Sequence, residues 1–325
     1  MPTLSVIIPF YNTPLPMLQR CLAPFLSKAY SHVEVILVDD CSTLAYDPQI
    51  TELIKDAPTT IHLHRHTHNA GHNAARATGI RHASGTYIAF LDSDDYLESA
   101  ELSKVIDIME AIPAQAYAID ALVVDENGNS VYASPQYISA QRGWLPTKEA
   151  IRKCSSLWHW IIKTDIVRAH TLNTSIRIGE DLVSLIPILA DCNTIYSTGV
   201  NPYRYVHHDG STMHTASLQD RLQLMAGFDT MLRDNPNLLQ TYYDEVEWQA
   251  VWHILYWEAL QTLQSQQKSS QEYKKNAQHW ITQHFPNWHS NLYVDKDPQA
   301  KDIRFKLIAN GHYAIFNTLS WLKHH

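Results

Sequence analysis

The chain has 325 residues, of which 45% are hydrophobic and 18% charged; this excludes a disordered or fibrous polypeptide and allows one large domain or two smaller ones. A formal net charge of -8 argues against nucleic acid as a partner. Cys21, Cys41, Cys154 and Cys192 have neither CxxC nor zinc-type spacing, which points away from a structural metal and toward a reducing compartment. The first residues, MPTLSVIIPFYN, lack the charged-then-apolar pattern of a secretory leader, and no run approaches the roughly 18 apolar residues of a spanning helix. A soluble, cytoplasmic protein is expected. The 19 histidines are scattered and read as compositional bias of the source.

In chain order, Leu4–Pro9 (LSVIIP) predicts a fully buried strand ended by proline. Leu15, Leu18, Leu22, Phe25 and Leu26 follow at helical spacing, with Pro24 expected to bend or shorten the helix. Val33–Val38 is a second buried strand, and Asp47-Pro48 reads as the cap and first position of a helix carrying Ile50, Leu53 and Ile54 on one face. Thr60–His64 is a weaker strand. Asn73–His82 is a helix of small residues, and Thr86–Leu91 is the third strong strand. Ser99 is expected to cap a helix with Leu102, Val105, Ile106 and Met109 inward.

Strand and helix in alternation mean βαβ units and a largely parallel sheet, whose ligands sit beyond the carboxyl ends of the strands. The polar clusters Pro9–Asn12, Asp39–Ser42 and Asp92–Asp95 fall at those ends. After about Thr215 the strand signals fade and helical patterns rich in Gln, Trp and Tyr take over, as in Val246–Leu263; Ser265–Gln271 reads as a loop between helices. The expected division is 1–214 and 215–325.

The sharpest chemical signal is Phe90-Leu91-Asp92-Ser93-Asp94-Asp95, a buried strand delivering three acids to the ligand edge. Acids so placed repel one another unless a cation is present, and a hard divalent ion takes one or two carboxylates while phosphate oxygens and water fill its shell. Val38-Asp39-Asp40-Cys41-Ser42 ends strand two with a pair of acids able to accept hydrogen bonds from a base or ribose, or to form an Asx turn. In Asn69-Ala70-Gly71-His72-Asn73-Ala74-Ala75-Arg76 a tight turn leads into a helix, and Arg76, one turn in, points a guanidinium toward the same edge.

As a set and in this order, SVIIPFYN, EVILVDDCS, NAGHNAARATGI and YIAFLDSDD resemble the successive motifs of family-2 glycosyltransferases over roughly residues 4–215. The resemblance implies a GT-A fold, that is, an α/β domain with a mostly parallel sheet flanked by helices, followed here by a helical C-terminal region. It implies that Pro9, Phe10, Tyr11 and Asp40, with Asp39 alongside, hold the base and ribose, with Asn69 and Arg76 near the nucleotide. Asp92, Ser93 and Asp94 would meet ribose and a manganese or magnesium ion, Asp94 as the more direct ligand. The family often has Gly where Cys41 stands and Asn where Ala77 stands.

Gly179-Glu180-Asp181 opens an apolar helical run; alone it reads as a negatively charged first turn favoured by the helix dipole. It is similar to the family's ED motif, which implies Asp181 as general base with Glu180 as the alternative. Tyr203–Ser211 resembles the family's loop over the donor diphosphate, so that His207 or His208 would touch metal or phosphate. Trp158, His159 and Trp160 stand where the family places acceptor-side residues, although aromatics of this kind also build cores. The implied reaction moves a sugar from a nucleotide-sugar, most commonly a UDP-sugar, to a bacterial surface glycan or its lipid-linked precursor, in one inverting displacement.

Residues Ile303–Ile308 and Tyr313–Lys323 mix basic and bulky apolar side chains, leaving peripheral contact with the inner face of the cytoplasmic membrane, a homo-oligomer contact, or packing on their own domain. The alternative reading is a catalytically silent, transferase-like protein that binds glycan or scaffolds an assembly. A nucleotidyltransferase is disfavoured by PFYNTPLP in place of a glycine-rich phosphate loop. A processive polymerase is disfavoured by the lack of a QxxRW-type motif and of membrane helices.

Overall fold

The structure, a computed structural model, describes residues 3–43, 47–133, 141–207, 216–265 and 269–324. By its internal contacts the chain divides into two compact units. One comprises residues 1–174 and 184–209; the other comprises 175–183 and 210–325.

The first unit opens with β1 (Leu4–Phe10), α1 (Leu15–Ser27), β2 (Val33–Asp39), α2 (Asp47–Ile54), β3 (Thr60–Arg65), α3 (His72–His82) and β4 (Tyr87–Phe90). Every residue of β1 and β2 is buried, as their unbroken β-branched runs require of strands covered on both faces. The four strands pair in parallel in the order β3-β2-β1-β4. Alternation along β1 divides the packing. Leu4, Val6, Ile8 and Phe10 join Leu18, Leu22 and Phe25 of α1 in one hydrophobic cluster. Ile7 lies against α3, where a Cβ on Gly79 would come within 2.3 Å of its side chain. The small residues of α3 therefore let the helix backbone lie close on the sheet. Pro24 is accommodated within α1, which continues to Ser27.

The same unit continues with β5 (Tyr96–Leu97), α4 (Ser99–Ala111), β6 (Ala116–Ala118), β7 (Ala121–Val124), β8 (Ser130–Ala133), β9 (Gly143–Leu145), α5 (Thr147–Lys153), β10 (Trp160–Lys163), α6 (Thr164–Arg168), α7 (Glu180–Ala190, whose first turn counts with the second unit), β11 (Ile195–Ser197) and β12 (Tyr203–Val206). The eight-stranded sheet is completed as β4-β10-β6-β11-β9, with β10 and β9 antiparallel, and β5-β12-β7-β8 form a second sheet. Ser99 is the first residue of α4 rather than its cap. The cap is Glu98, whose carboxylate accepts the N–H groups of Ala100 and Glu101. Its two carboxylate oxygens each take one of the helix's orphan donors.

The second unit is helical among its described residues. Leu218–Asp234, Leu238–Ala250, Glu258–Ser265, Ser270–His284, Ile303–Ala309 and Tyr313–His324 are its longer α-helices. The pattern that predicts one helix over Val246–Leu263 resolves into an α-helix, a π-helical stretch over Val251–Trp257, and a second α-helix. The expected loop Ser265–Gln271 lies partly outside the described residues, and a helix already begins at Ser270. A buried ion pair between Arg221 and Glu258 ties two of these helices, and Trp248, Trp252, Tyr256 and Phe305 form an aromatic cluster. No described helix is long and apolar enough to cross a membrane.

Candidate active site

The ends of β1 and β2 meet in a knot of backbone and short polar side chains. Asn12 adopts φ of +50° and Cys41 φ of +64°, both in the left-handed region that non-glycine residues enter at a cost. Glycine would enter that conformation without the cost. Asn12 holds the two loops together. Its N–H donates to Ser42 Oγ (2.9 Å), and its Oδ1 accepts the Thr43 N–H and hydroxyl (2.8 and 2.9 Å). Pro9 and Phe10 are buried in the strand, whereas Tyr11 is 47% exposed and presents its ring at the strand's end.

The two adjacent acids of β2 do different work. Asp39 Oδ1 accepts the Ser42 N–H and hydroxyl (2.8 and 2.6 Å), forming the Asx turn that strand-end geometry favours. Its buried Oδ2 has no hydrogen-bond partner, and Arg65 Nε stands 3.5 Å away. Asp40 is turned inward. Its carboxylate accepts the N–H groups of Ala70 and Gly71 (2.9 and 2.8 Å) and meets His66 Nδ1 (2.7 Å), whose Nε2 reaches Thr78 Oγ1 (2.7 Å). Asp40 thereby shapes the Asn69–Gly71 turn from beneath, while exposed Asn69 donates to the Asp40 carbonyl (3.3 Å).

Gly71, at φ of +93°, ends that turn and starts α3. From the first helical turn, Arg76 reaches the end of β4 as its spacing predicts. The guanidinium is fully buried, donates through Nη1 to Asn73 Oδ1 and through Nη2 to Asp92 Oδ1 (2.9 Å each), and lies over the Phe90 ring at 5.8 Å. His72 Nε2 stands 3.2 Å from the same Asp92 oxygen. Burial pushes the Asp92 carboxyl upward, but Arg76 and His72 outweigh it and hold the group well below the usual carboxylate range. A permanently ionised acid therefore sits at the sheet edge beside half-buried Asp94.

The turn carrying these acids is braced from several sides. Thr13 and Ser93 share a hydroxyl–hydroxyl bond of 2.7 Å, and Arg20 donates to the Asp94 carbonyl (3.2 Å). Asp95 is buried and accepts the Tyr203 hydroxyl and the Val206 N–H (2.7 Å each), while the Asp92 N–H donates back to the Tyr203 oxygen (3.3 Å). Burial, with Asp94 and Asp92 nearby, raises the Asp95 carboxyl well above the ordinary range. The three acids are thus differentiated by environment: one held ionised, one half-exposed and one structural.

Trp158 is buried in a stack with Tyr203 (4.3 Å between ring centroids) and His159 (3.8 Å). His159 is completely buried. Its Nδ1–H donates to the Ile119 carbonyl (2.9 Å), which leaves Nε2 bare and the ring neutral, and burial pushes its pKa down to about 4. Both expected acceptor-side residues therefore pack the interior behind the acidic turn instead of offering a surface.

Glu180 and Asp181, both half-buried, open α7 and count with the second unit. Gly179 precedes them at φ of +74°, and a Cβ there would come within 2.4 Å of Leu224. Gly227, one turn further along the same helix, leaves matching room for Ile176 and Val183. Two glycines thus seat the ED segment on the helix Leu218–Asp234. His207 is exposed, its N–H bonded to the Val124 carbonyl (2.9 Å), and His208 lies outside the described residues.

Sequence reasoning missed His66, His72 and Arg20 as parts of this site, and gave Asp95 and Tyr203 no separate role within the motifs that held them. His72 stood inside a quoted motif and could have been found from its place at the first turn of α3. Arg20 comes from a distant segment and carries no local signal.

Residues 5–173, a little over half of the chain, match the family model described as Glycosyl transferase family 2. The chain is 37% identical over 109 residues to a Bacillus subtilis (strain 168) protein named as an uncharacterized glycosyltransferase, EpsJ; the match covers 34% of this chain and 31% of that one. It is 28% identical over 129 residues to a Campylobacter jejuni GalNAc(5)-diNAcBac-PP-undecaprenol beta-1,3-glucosyltransferase, covering 40% and 41%. The matched stretch thus spans well under half the length of either relative. Among solved structures, Staphylococcus aureus TarS 1–349 in complex with UDP-GlcNAc superposes with a TM-score of 0.61 at 18% identity, over 96% of this chain and 80% of that one. That likeness carries the GT-A fold. With the motif order, the acidic sheet edge and the family match in agreement, this chain belongs to glycosyl transferase family 2.

Proposed function

We propose that this chain transfers a sugar from a UDP-sugar to a hydroxyl of a bacterial surface glycan or its lipid-linked precursor, with inversion at the anomeric carbon. The observation that carries the reading is the buried Arg76 guanidinium on an ionised Asp92, with Asp94 beside it, at the carboxyl edge of a parallel sheet. The TarS complex with UDP-GlcNAc and the undecaprenol-linked substrate in the Campylobacter relative's name support the donor and acceptor classes.

In this reading Tyr11 stacks on the base, and Asp39 Oδ2, which makes no hydrogen bond and has Arg65 Nε 3.5 Å away, accepts from the base or ribose. The donor set fits a hard divalent ion. Asp92 Oδ2 and Asp94 offer oxygen ligands. Among the described residues, no three His, Cys, Asp or Glu side chains gather to enclose a metal, so diphosphate oxygens and water would complete its shell. Such an ion, manganese or magnesium, would offset the charge growing on the departing diphosphate. Arg76 holds Asp92 in its ionised form and adds positive charge at the edge where the diphosphate lies. Asp181 takes the proton from the attacking hydroxyl; one base is enough for a single displacement. The setting that goes with this chemistry is the cytoplasmic side of the membrane. Exposed Ile303, Ile315 and Leu319 of the C-terminal helices are the apolar residues available for peripheral contact there, or for a second copy of the chain.

Calorimetric titration with UDP, GDP, CDP and ADP, each with Mn²⁺ and with EDTA, tests the donor side. UDP should bind with metal and not with EDTA, and Asp94→Asn should lose that difference. Asp181→Asn should keep UDP affinity while transfer falls roughly 10²–10⁴-fold, the usual worth of a positioned base. A near-normal transfer rate in that variant would reassign the base, first to Glu180.

A further inference from the structure

Within the helical unit lies a cavity of about 290 Å³ that shares no residue with the acidic edge. Its wall carries Gln278, Thr282, Trp288, His289 and Asn310, and Leu255 of the π-helical stretch reaches it from the core. This lining contains no Asp, Glu, Lys or Arg. It combines an aromatic residue with two amides, a hydroxyl and an imidazole, which together offer hydrogen-bond donors and acceptors without net charge.

Several of these groups have hydrogen-bonding capacity to spare. The Gln278 amide, the Trp288 indole N–H and the His289 imidazole make no hydrogen bond among the described residues, while Asn310 uses only its Nδ2, on the Lys306 carbonyl. The His289 ring stacks on Trp288 at 3.7 Å, fixing both. Gly311, at φ of +74°, clears the space beside Gln278: a Cβ there would come within 2.5 Å of Gln278 Nε2. Lys274 crowds the same position, its Nζ 3.2 Å from that Cβ, and its ammonium is engaged on the Tyr313 ring, 5.5 Å from the ring centre. π-Helical turns inside α-helices recur at functional sites, and here one supplies an apolar side chain to the cavity. The volume stands at the lower end of ligand pockets, which run from roughly 300 to 1,000 Å³.

We propose that this cavity is a saccharide subsite that takes one uncharged sugar ring. An uncharged pyranose presents hydroxyls that both donate and accept, matching the spare amide, indole and imidazole groups, and C–H groups that suit the apolar edge left by Leu255 and the His289–Trp288 stack. An anionic sugar or a phosphate would find no cation in this lining. The assignment stands on the cavity itself; that the ring belongs to the acceptor glycan rests on the function proposed above.

Saturation-transfer NMR on the full chain tests it, with the methyl glycosides of glucose, galactose, N-acetylglucosamine and N-acetylgalactosamine as neutral probes, and glucuronate and uridine as controls. At least one neutral glycoside should receive saturation at millimolar concentration, undiminished by saturating UDP and in Asp94→Asn. Affinity should fall about tenfold in Gln278→Ala/Asn310→Ala and also in His289→Ala, all at half-buried or exposed positions where the fold tolerates truncation. Transfer that UDP displaces, transfer unchanged in both variants, a preference for glucuronate or uridine, or no transfer from any neutral glycoside would each overturn the subsite. Failure of UDP to bind, with glycoside binding intact, would strike the donor-site reading and leave this one standing.

Discussion

Two arginines of this protein are almost completely buried, and each faces one carboxylate, yet their settings differ. Arg76 is 2% exposed and pairs with Asp92, whose side chain is 23% exposed. Arg221 is 1% exposed and pairs with Glu258, which is 3% exposed. The consequences for the acids run in opposite directions. Burial raises the Glu258 carboxyl even against its arginine, whereas Arg76 and His72 together drive Asp92 down. The helical pair is sealed on both sides and serves cohesion. The sheet-edge pair is sealed behind and open in front, which keeps a charged oxygen available to a ligand. A buried cation alone therefore says little about function; the openness of its partner decides.

Breaking the sealed pair should have the largest effect on stability. Arg221→Met leaves Glu258 buried without its cation, an expected loss of about 3–5 kcal/mol in urea unfolding. The double change Arg221→Met/Glu258→Leu should recover most of it, because apolar replacement of a buried pair is often neutral. If the single change costs less than about 1 kcal/mol, the contrast between the two pairs fails.

The open pair should answer in the other currency. Arg76→Met should leave stability within about 2 kcal/mol, since water can reach Asp92, but lower transfer about 10²–10³-fold through lost charge stabilisation. Here the companion double change Arg76→Met/Asp92→Leu should restore no activity at all. Recovery of transfer in that double variant would make this pair structural too.

Acid sharpens the comparison through a neutral group behind the site. His159 is held near a pKa of about 4 against 6.5 for the free side chain. The unfolded chain thus binds its proton first as pH falls, and stability is lost between about 6.5 and 4. Between pH 7 and pH 5 the wild type should lose about 2 kcal/mol relative to His159→Gln, measured as the difference between their unfolding curves. Equal pH slopes would mean that the imidazole titrates in the fold as it does in the unfolded chain.

The smallest effect belongs to the strained loop. Cys41→Gly relieves φ of +64° and should raise stability by about 1 kcal/mol, with donor binding unchanged. A loss of stability would show that the Cys41 side chain contributes packing that outweighs the strain.

Much of the sheet-edge site was legible before any coordinates. Runs of β-branched residues ending in acids place Asp39, Asp40, Asp92 and Asp94 at one edge because parallel strands share a direction. The position of Arg76 one helical turn after a glycine turn aims its guanidinium there. The partition of roles among neighbouring acids was not legible. Asp39 and Asp40 look equivalent in sequence, yet Asp40 spends its carboxylate on the Asn69–Gly71 turn, and Asp95 spends its own on Tyr203 and Val206, more than 100 residues away. Trp158 and His159 read either as acceptor-side residues or as core aromatics, and the stack of Tyr203 on Trp158, with His159 on Trp158 in turn, decides for the interior.

Local chemistry by itself determined the strand and helix alternation, the family motifs and the acidic edge, since these depend on periodicity and on residues close in sequence. Tertiary structure alone decided which acid is ionised, which histidine is neutral, where the π-helical stretch interrupts a regular helix, and that the ED segment packs with the C-terminal helices. Each of these outcomes depends on burial and on partners from distant segments, and those arise only when the chain has closed on itself.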